Sequence, residues 1–120
     1  MLKNIRLELA RTPGNPEGDA NHGYEFVAPL GADGHIDAAE WKQQRDKCTV
    51  RRFHPREDDE HGHLIRTQGR RWAFHYDLDN EPDEDEPGYR FDSHAFVTGE
   101  YVSITEHDGE TRPFKVFVLD

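Results

Sequence analysis

The segment RWAFHYDL, residues 71 to 78, decides the fold because large apolar side chains alternate along it with smaller or polar ones. The large set is Trp72, Phe74, Tyr76 and Leu78. Successive side chains of a β-strand point to opposite faces. This period of two therefore predicts a strand whose aromatic face is turned into the core.

The same period recurs on both sides of this segment, between stretches rich in Gly, Pro, Asn and Asp. Predicted strands cover about residues 3–11, 24–30, 49–53, 64–67, 71–78, 95–97, 101–106 and 111–119. One helix is predicted over about 38–47, where Asp37 is a suitable N-cap and Glu40 completes a capping box. Ile36 is expected to pack on Trp41, which we interpret as a packing residue.

Short antiparallel strands with one capped helix predict a mainly β fold, α+β at the margin. We expect a small antiparallel barrel, SH3-like or OB-like, or a strongly curved sheet of about six to eight strands. The 120 residues suit a single domain, residues 1–120. Flexible loops are expected at residues 12–23 and 79–90, where Pro, Gly and acidic residues are frequent.

The last two strands form a hairpin whose register follows from the apolar pattern. A three-residue loop over 107–109, with Gly109 left-handed, places Val102 opposite Phe114 and gathers the apolar residues on one face. It also turns Pro113 outward, where a missing donor is tolerated at a strand edge or a bulge.

Five segments carry a resemblance: LKNIRLELART, HGYEFVAPL, GRRWAFHYDLD, EPGYRF and TGEYVSI. Together they resemble a group of small, uncharacterised acidic proteins of alphaproteobacterial genomes, over most of the chain. The resemblance implies a bacterial origin and no particular chemistry.

The formal net charge of -10 is concentrated in two segments. Residues 77–86 hold seven acids and residues 57–60 hold four, which together are 11 of the 25 acids. The acidic run is not an EF-hand loop, because Pro82 stands where the turn glycine belongs and Gly88 where the bidentate Glu belongs. We expect residues 77–86 to be hydrated and extended.

Three histidines form the candidate metal site. If a loop over 67–69 joins two strands, His61 lies opposite His75 with His63 on the same face. Three imidazoles on one face are a ligand set that zinc accepts. A two-residue turn would separate them, and a solvated face without metal explains the same pattern.

Two other kinds of site are disfavoured. Eight bases between Arg45 and Arg71, with aromatics close by, are typical of single-strand nucleic-acid binding, but the inward aromatic face and the net charge oppose it.

Cys48, the single cysteine, is expected at a helix C-terminus, where its thiol pKa is raised and a nucleophilic role is disfavoured.

The leading functional interpretation is a non-enzymatic cytoplasmic module of β-barrel type that binds a protein or a small molecule, because no catalytic motif is found. The first alternative is a metal-binding protein, such as a zinc hydrolase, that uses His61, His63 and His75. The second is a single-stranded nucleic-acid binder. The sequence predicts no membrane span and is compatible with a homodimer.

Overall fold

The structure, a computed structural model, describes residues 1–67, 71–76, 86–89, 95–106 and 108–119, with 86–89 described through their backbone. Within these residues lie eight strands and one short helix. The strands are β1 (Leu2–Leu9), β2 (Asp19–Pro29), β3 (Thr49–His54), β4 (Glu57–Arg66), β5 (Trp72–Tyr76), β6 (Glu86–Tyr89), β7 (Tyr101–Thr105) and β8 (Thr111–Val118). Helix α1 spans Ala38–Gln44 and continues as a 3-10 turn over Arg45–Lys47.

Each strand pairs antiparallel with the next, and β8 returns to pair with β1, so the sheet closes into a barrel. In the closing ladder Leu7 lies opposite Val116, and both side chains are buried. Closure removes the exposed strand edges that an open sheet would present. The prediction of a mainly β fold, a small antiparallel barrel or strongly curved sheet of about six to eight strands with one short capped helix, is confirmed.

The barrel interior is filled by aromatic side chains. Trp72, Phe74 and Tyr76 are at most 2% exposed, as the alternation predicts, whereas Leu78 lies outside the described residues. The rings of Tyr24 and Phe26 each lie 5.2 Å from the ring of Phe74. Packed rings occupy the space in which a wider barrel would hold a ligand.

Helix α1 closes one end of the barrel through Trp41. Its indole Nε1 donates to the carbonyl of Leu64 at 3.0 Å, and its ring meets Trp72 edge-on at 5.2 Å. The Asp37 side chain caps the helix by accepting from the Glu40 amide. The reciprocal half of the capping box is absent, because the Asp37 amide already donates to the carbonyl of Pro29.

Several predicted boundaries need correction. Strand β2 begins at Asp19, so the connection after β1 is shorter than the predicted loop 12–23. Residues 95–97 form no strand, since the Phe96 amide donates to the carbonyl of Gly34 while its ring enters the core. Strand β6 falls within the predicted loop 79–90. Residues 77–85 of the acidic run lie outside the described residues.

The β7–β8 hairpin has the predicted register, with Val102 opposite Phe114 and Gly109 at φ +83. Pro113 lies one step beyond the last β1–β8 pair, where its carbonyl accepts from the Ala10 amide. Its missing donor therefore affects only the end of that ladder.

The predicted β4–β5 register is wrong by two residues. His63, not His61, lies opposite His75. The turn falls one position later in the chain than expected, because the Thr67 amide donates to the Arg71 carbonyl at 2.8 Å. A shift of two preserves the faces of a strand, so the aromatic residues still point inward.

Candidate functional site

The inward faces of four strands change from apolar to polar at one end of the barrel. At this end the inward-facing positions are occupied by polar residues, which are His22, Arg52, His54, Glu106 and Arg112. With Tyr24, they form what we call the Glu106 cluster. The end in question is opposite to the one that helix α1 closes, because it lies where β1, β3 and β7 finish.

Glu106 is the centre of this cluster, and its side chain is 1% exposed. One carboxylate oxygen, Oε1, lies 3.0 Å from Nε2 of His22 and accepts from Nη1 of Arg112 at 2.9 Å. The other, Oε2, accepts from the Tyr24 hydroxyl at 2.7 Å and from Nη2 of Arg52 at 3.2 Å. The buried anion is thus surrounded by donors from β2, β3 and β8, as burial of a charge requires.

Further carboxylates hold the outer parts of the two arginines. Nη1 of Arg52 donates to Glu57 at 3.0 Å and lies 3.6 Å from Glu60. Arg112 forms a bidentate ion pair with Asp108. Both guanidinium groups are therefore shared between the buried Glu106 and solvent-facing acids.

The surroundings lower the pKa of Glu106 to about 2. Burial by itself raises the pKa, but the hydrogen bonds from His22 and Tyr24, with the charges of His22 and Arg52, outweigh it. Because its pKa in the folded state is depressed, Glu106 stabilises the fold above its unfolded value near 4.5 and loses that contribution as the pH falls toward 2.

This linkage predicts a pH-dependent difference between the wild type and Glu106→Gln. We expect the wild type to be the more stable at pH 7, with the difference in unfolding free energy shrinking between about pH 5 and 2 by roughly 3 kcal/mol. Urea unfolding of both proteins across this range measures it. Asp108, whose pKa is also lowered to about 2, shares Arg112 with Glu106, so Asp108→Asn is introduced in both proteins to remove its titration. A constant difference would contradict the assignment.

His54 joins the cluster from its solvent side. Its ring lies 4.6 Å from that of His22, and its Nδ1 accepts from the Arg56 amide at 3.1 Å. Burial, followed by the charge of His22, lowers the pKa of His54. The uncharged imidazole is thereby favoured next to Arg52.

The cluster is arranged for charge compensation rather than for proton transfer. A general base needs an open lone pair within reach of a substrate proton. Each oxygen of Glu106 instead has at least two donors within 3.2 Å, and the side chain is nearly inaccessible.

The predicted metal-site residues lie together on the outer surface. His63 is directly opposite His75, and His61 is two positions along the same face of β4. In the part of the chain that the structure describes, no group of three or more His, Cys, Asp or Glu side chains is placed to hold a metal ion. Zinc binding by these histidines stays a prediction, which metal analysis of the purified protein tests.

The two arginines of the basic stretch that lie on β3 point to opposite faces of the strand. Arg52 points into the cluster, whereas Arg51 points outward and pairs with Asp59 and Glu25. The outward Phe53 ring is covered by the guanidinium groups of Arg6 and Arg51, at 4.5 and 4.9 Å from its centroid. Trp72, Phe74 and Tyr76 are buried as well. These aromatic rings therefore do not form a surface on which nucleic-acid bases can stack.

Two shallow grooves on the outer surface meet at His63, and we call them together the His63 face. One, of about 400 Å³, is lined by Glu25, Arg51 and His61 among others. The second, of about 430 Å³, is lined by Trp41, Arg45, Asp46, Ile65 and Arg66. The guanidinium of Arg66 lies over the Trp72 ring at 4.4 Å.

A third groove, of about 660 Å³, is formed by the connection after β1 together with strands β7 and β8. Its lining includes Arg11, Tyr101 and Lys115, and the ammonium of Lys115 lies over the Phe117 ring. Its acids, Glu8, Glu17 and Asp19, outnumber its two bases, so it shares the sign of the whole protein.

Cys48 is a free, buried cysteine. Its thiol pKa is raised to about 11, first by burial and then by the charges of Asp46 and Glu40. The expectation of a raised pKa is confirmed, with burial rather than the helix dipole as its main cause.

The sequence contained an unused signal for the Glu106 cluster. Extending the predicted inward face of the last hairpin by one alternate residue on each strand adds Glu106 and Arg112. A carboxylate and a guanidinium on a core face need partners. Extending the inward face of β2 in the same way adds His22.

The fold and its site define a small closed antiparallel barrel with a buried ion-pair cluster at one end. Comparison with protein-family models, with curated proteins and with solved structures finds no match. None of the helices described here is both long enough and apolar enough to cross a membrane.

Proposed function

We propose that the protein is a non-enzymatic binding module that docks a protein partner on the His63 face. The filled interior supports this proposal, because packed rings at one end and the Glu106 cluster at the other leave the outer surface for binding. The charged groups of the cluster are paired with one another and with the outer acids Glu57 and Asp108 rather than directed at a reacting group.

Charge contrast favours the His63 face over the larger third groove. The whole protein carries a net charge of -10, yet the groove beside Trp41 places Arg45 and Arg66 against one acid, Asp46, while Arg51 is paired with Glu25 and Asp59. Arg is also enriched in the cores of protein interfaces. The partner that fits is an acidic segment with an apolar residue that packs against Ile65, beside the mostly buried Trp41.

Affinity capture with two charge-matched double variants tests this proposal. We expect the wild type to capture a partner from lysate that Arg45→Glu/Arg66→Glu loses by at least tenfold, because two attractive charges become repulsive. The control, Arg11→Glu/Lys115→Glu, changes the net charge equally in the third groove and should capture normally. Thermal unfolding of both variants checks that the barrel is intact.

Two results would overturn the proposal. One is equal loss of capture by both double variants, which would indicate a non-specific charge effect. The other is capture that survives Arg45→Glu/Arg66→Glu, which would place the partner elsewhere on the barrel.

A further inference from the structure

We propose that the polar end of the barrel is a carboxylate-binding site, which the protein's own Glu106 fills. The site is separate from the His63 face and takes a planar anion with two oxygens. Its donors are His22, Tyr24, Arg52 and Arg112, which belong to β2, β3 and β8.

The donors are distributed as a two-oxygen anion requires. Arg112 donates to Oε1 of Glu106 at 2.9 Å, and Tyr24 and Arg52 donate to Oε2 at 2.7 and 3.2 Å. Nε2 of His22 lies between the two oxygens, 3.0 Å from Oε1 and 3.1 Å from Oε2. Each oxygen thus receives one guanidinium N–H, and the imidazole of His22 is shared by both. Paired charge-assisted contacts of this kind bind carboxylates in preference to spherical anions such as chloride.

The donors are held in place by contacts that do not involve Glu106. The Tyr24 ring lies 5.2 Å from Phe74 and 5.3 Å from Phe114, and the His22 ring lies edge-on to Phe114 at 5.8 Å. Arg52 is anchored by its ion pair with Glu57. The site is therefore expected to persist when the Glu106 side chain is shortened.

Glu106 enters this site from the end of the β7–β8 hairpin. It is the first residue after β7, where its amide donates to the Glu110 carbonyl at the base of the hairpin turn. Its carboxylate thus behaves as a ligand presented by the turn, and an external carboxylate must compete with it.

Anion rescue of Glu106→Ala tests the site. The substitution removes a methylene and a carboxylate, which acetate closely replaces. We expect sodium acetate at 200 mM and pH 7 to lower the unfolding equilibrium constant of Glu106→Ala about twentyfold relative to equal sodium chloride, for a dissociation constant of about 10 mM. Urea unfolding measures the constant.

Two controls separate this site from general salt effects. In the wild type and in Glu106→Gln the site is filled by a side chain, so acetate should change the equilibrium constant less than twofold relative to chloride. The double variant Glu106→Ala/Tyr24→Phe lacks one donor to the anion. Its dissociation constant for acetate should therefore be about tenfold higher, and the rescue correspondingly smaller.

Equal behaviour of Glu106→Ala in acetate and chloride would overturn the proposal, as would equal rescue of Glu106→Gln. If Glu106→Ala is unfolded in chloride, refolding in acetate alone supports the site, and Glu106→Ser repeats the comparison with a smaller cavity. Failure of both variants to fold in either salt would also count against it.

Discussion

Arg52→Met is expected to lower the free energy of unfolding by about 3–5 kcal/mol, because it leaves Glu106 buried with less compensation. The Arg52 side chain is 6% exposed, and its guanidinium joins Glu106 inside the barrel to Glu57 at the rim. Methionine retains much of the apolar stem but provides no charge and no donor. The loss therefore reports the electrostatic role rather than a cavity.

The neighbouring residue supplies a matched control. Arg51→Met makes the same substitution one position earlier on β3, where the guanidinium forms exposed ion pairs with Asp59 and Glu25. We expect a loss of about 1 kcal/mol or less, since solvent screens such pairs. Urea unfolding of the two variants at pH 7 makes the comparison. Equal losses would mean that the cluster contributes no more than a surface ion pair.

Trp72→Ala is expected to cost about 3–5 kcal/mol through the cavity it leaves. Trp72 is 1% exposed and joins the barrel wall to the helix, since its ring meets Trp41 edge-on at 5.2 Å. Against a total stability of about 5–15 kcal/mol, this loss brings the protein close to unfolding. Both the barrel wall and the position of α1 depend on this ring.

Tyr101→Ala is the control for Trp72→Ala, because Tyr101 is 56% exposed on the outer surface. It should change the unfolding free energy by about 0.5 kcal/mol or less. Chemical unfolding followed by far-ultraviolet circular dichroism measures both variants. A small effect of Trp72→Ala would mean that α1 does not depend on this contact.

The faces of the strands were predictable from local patterns, but some pairings were not. The alternation from Trp72 to Tyr76 predicts which side chains enter the core, because β geometry has a period of two. The β4–β5 register depends on where the turn falls, and the bond between Thr67 and Arg71 places it one position later than predicted. Strand β6, with Pro87 and Gly88, has no strand pattern of its own and is defined by pairing with β5 and β7.

The sequence by itself determined the inward faces, the helix cap at Asp37 and the register of the last hairpin, because each depends on residues within a few positions of one another. Only the tertiary structure decided that β8 pairs with β1 and that His22 meets Glu106, 84 positions away. A local pattern specifies which way a side chain points. Which distant strand it faces depends on how the barrel closes, and closure is a property of the whole chain.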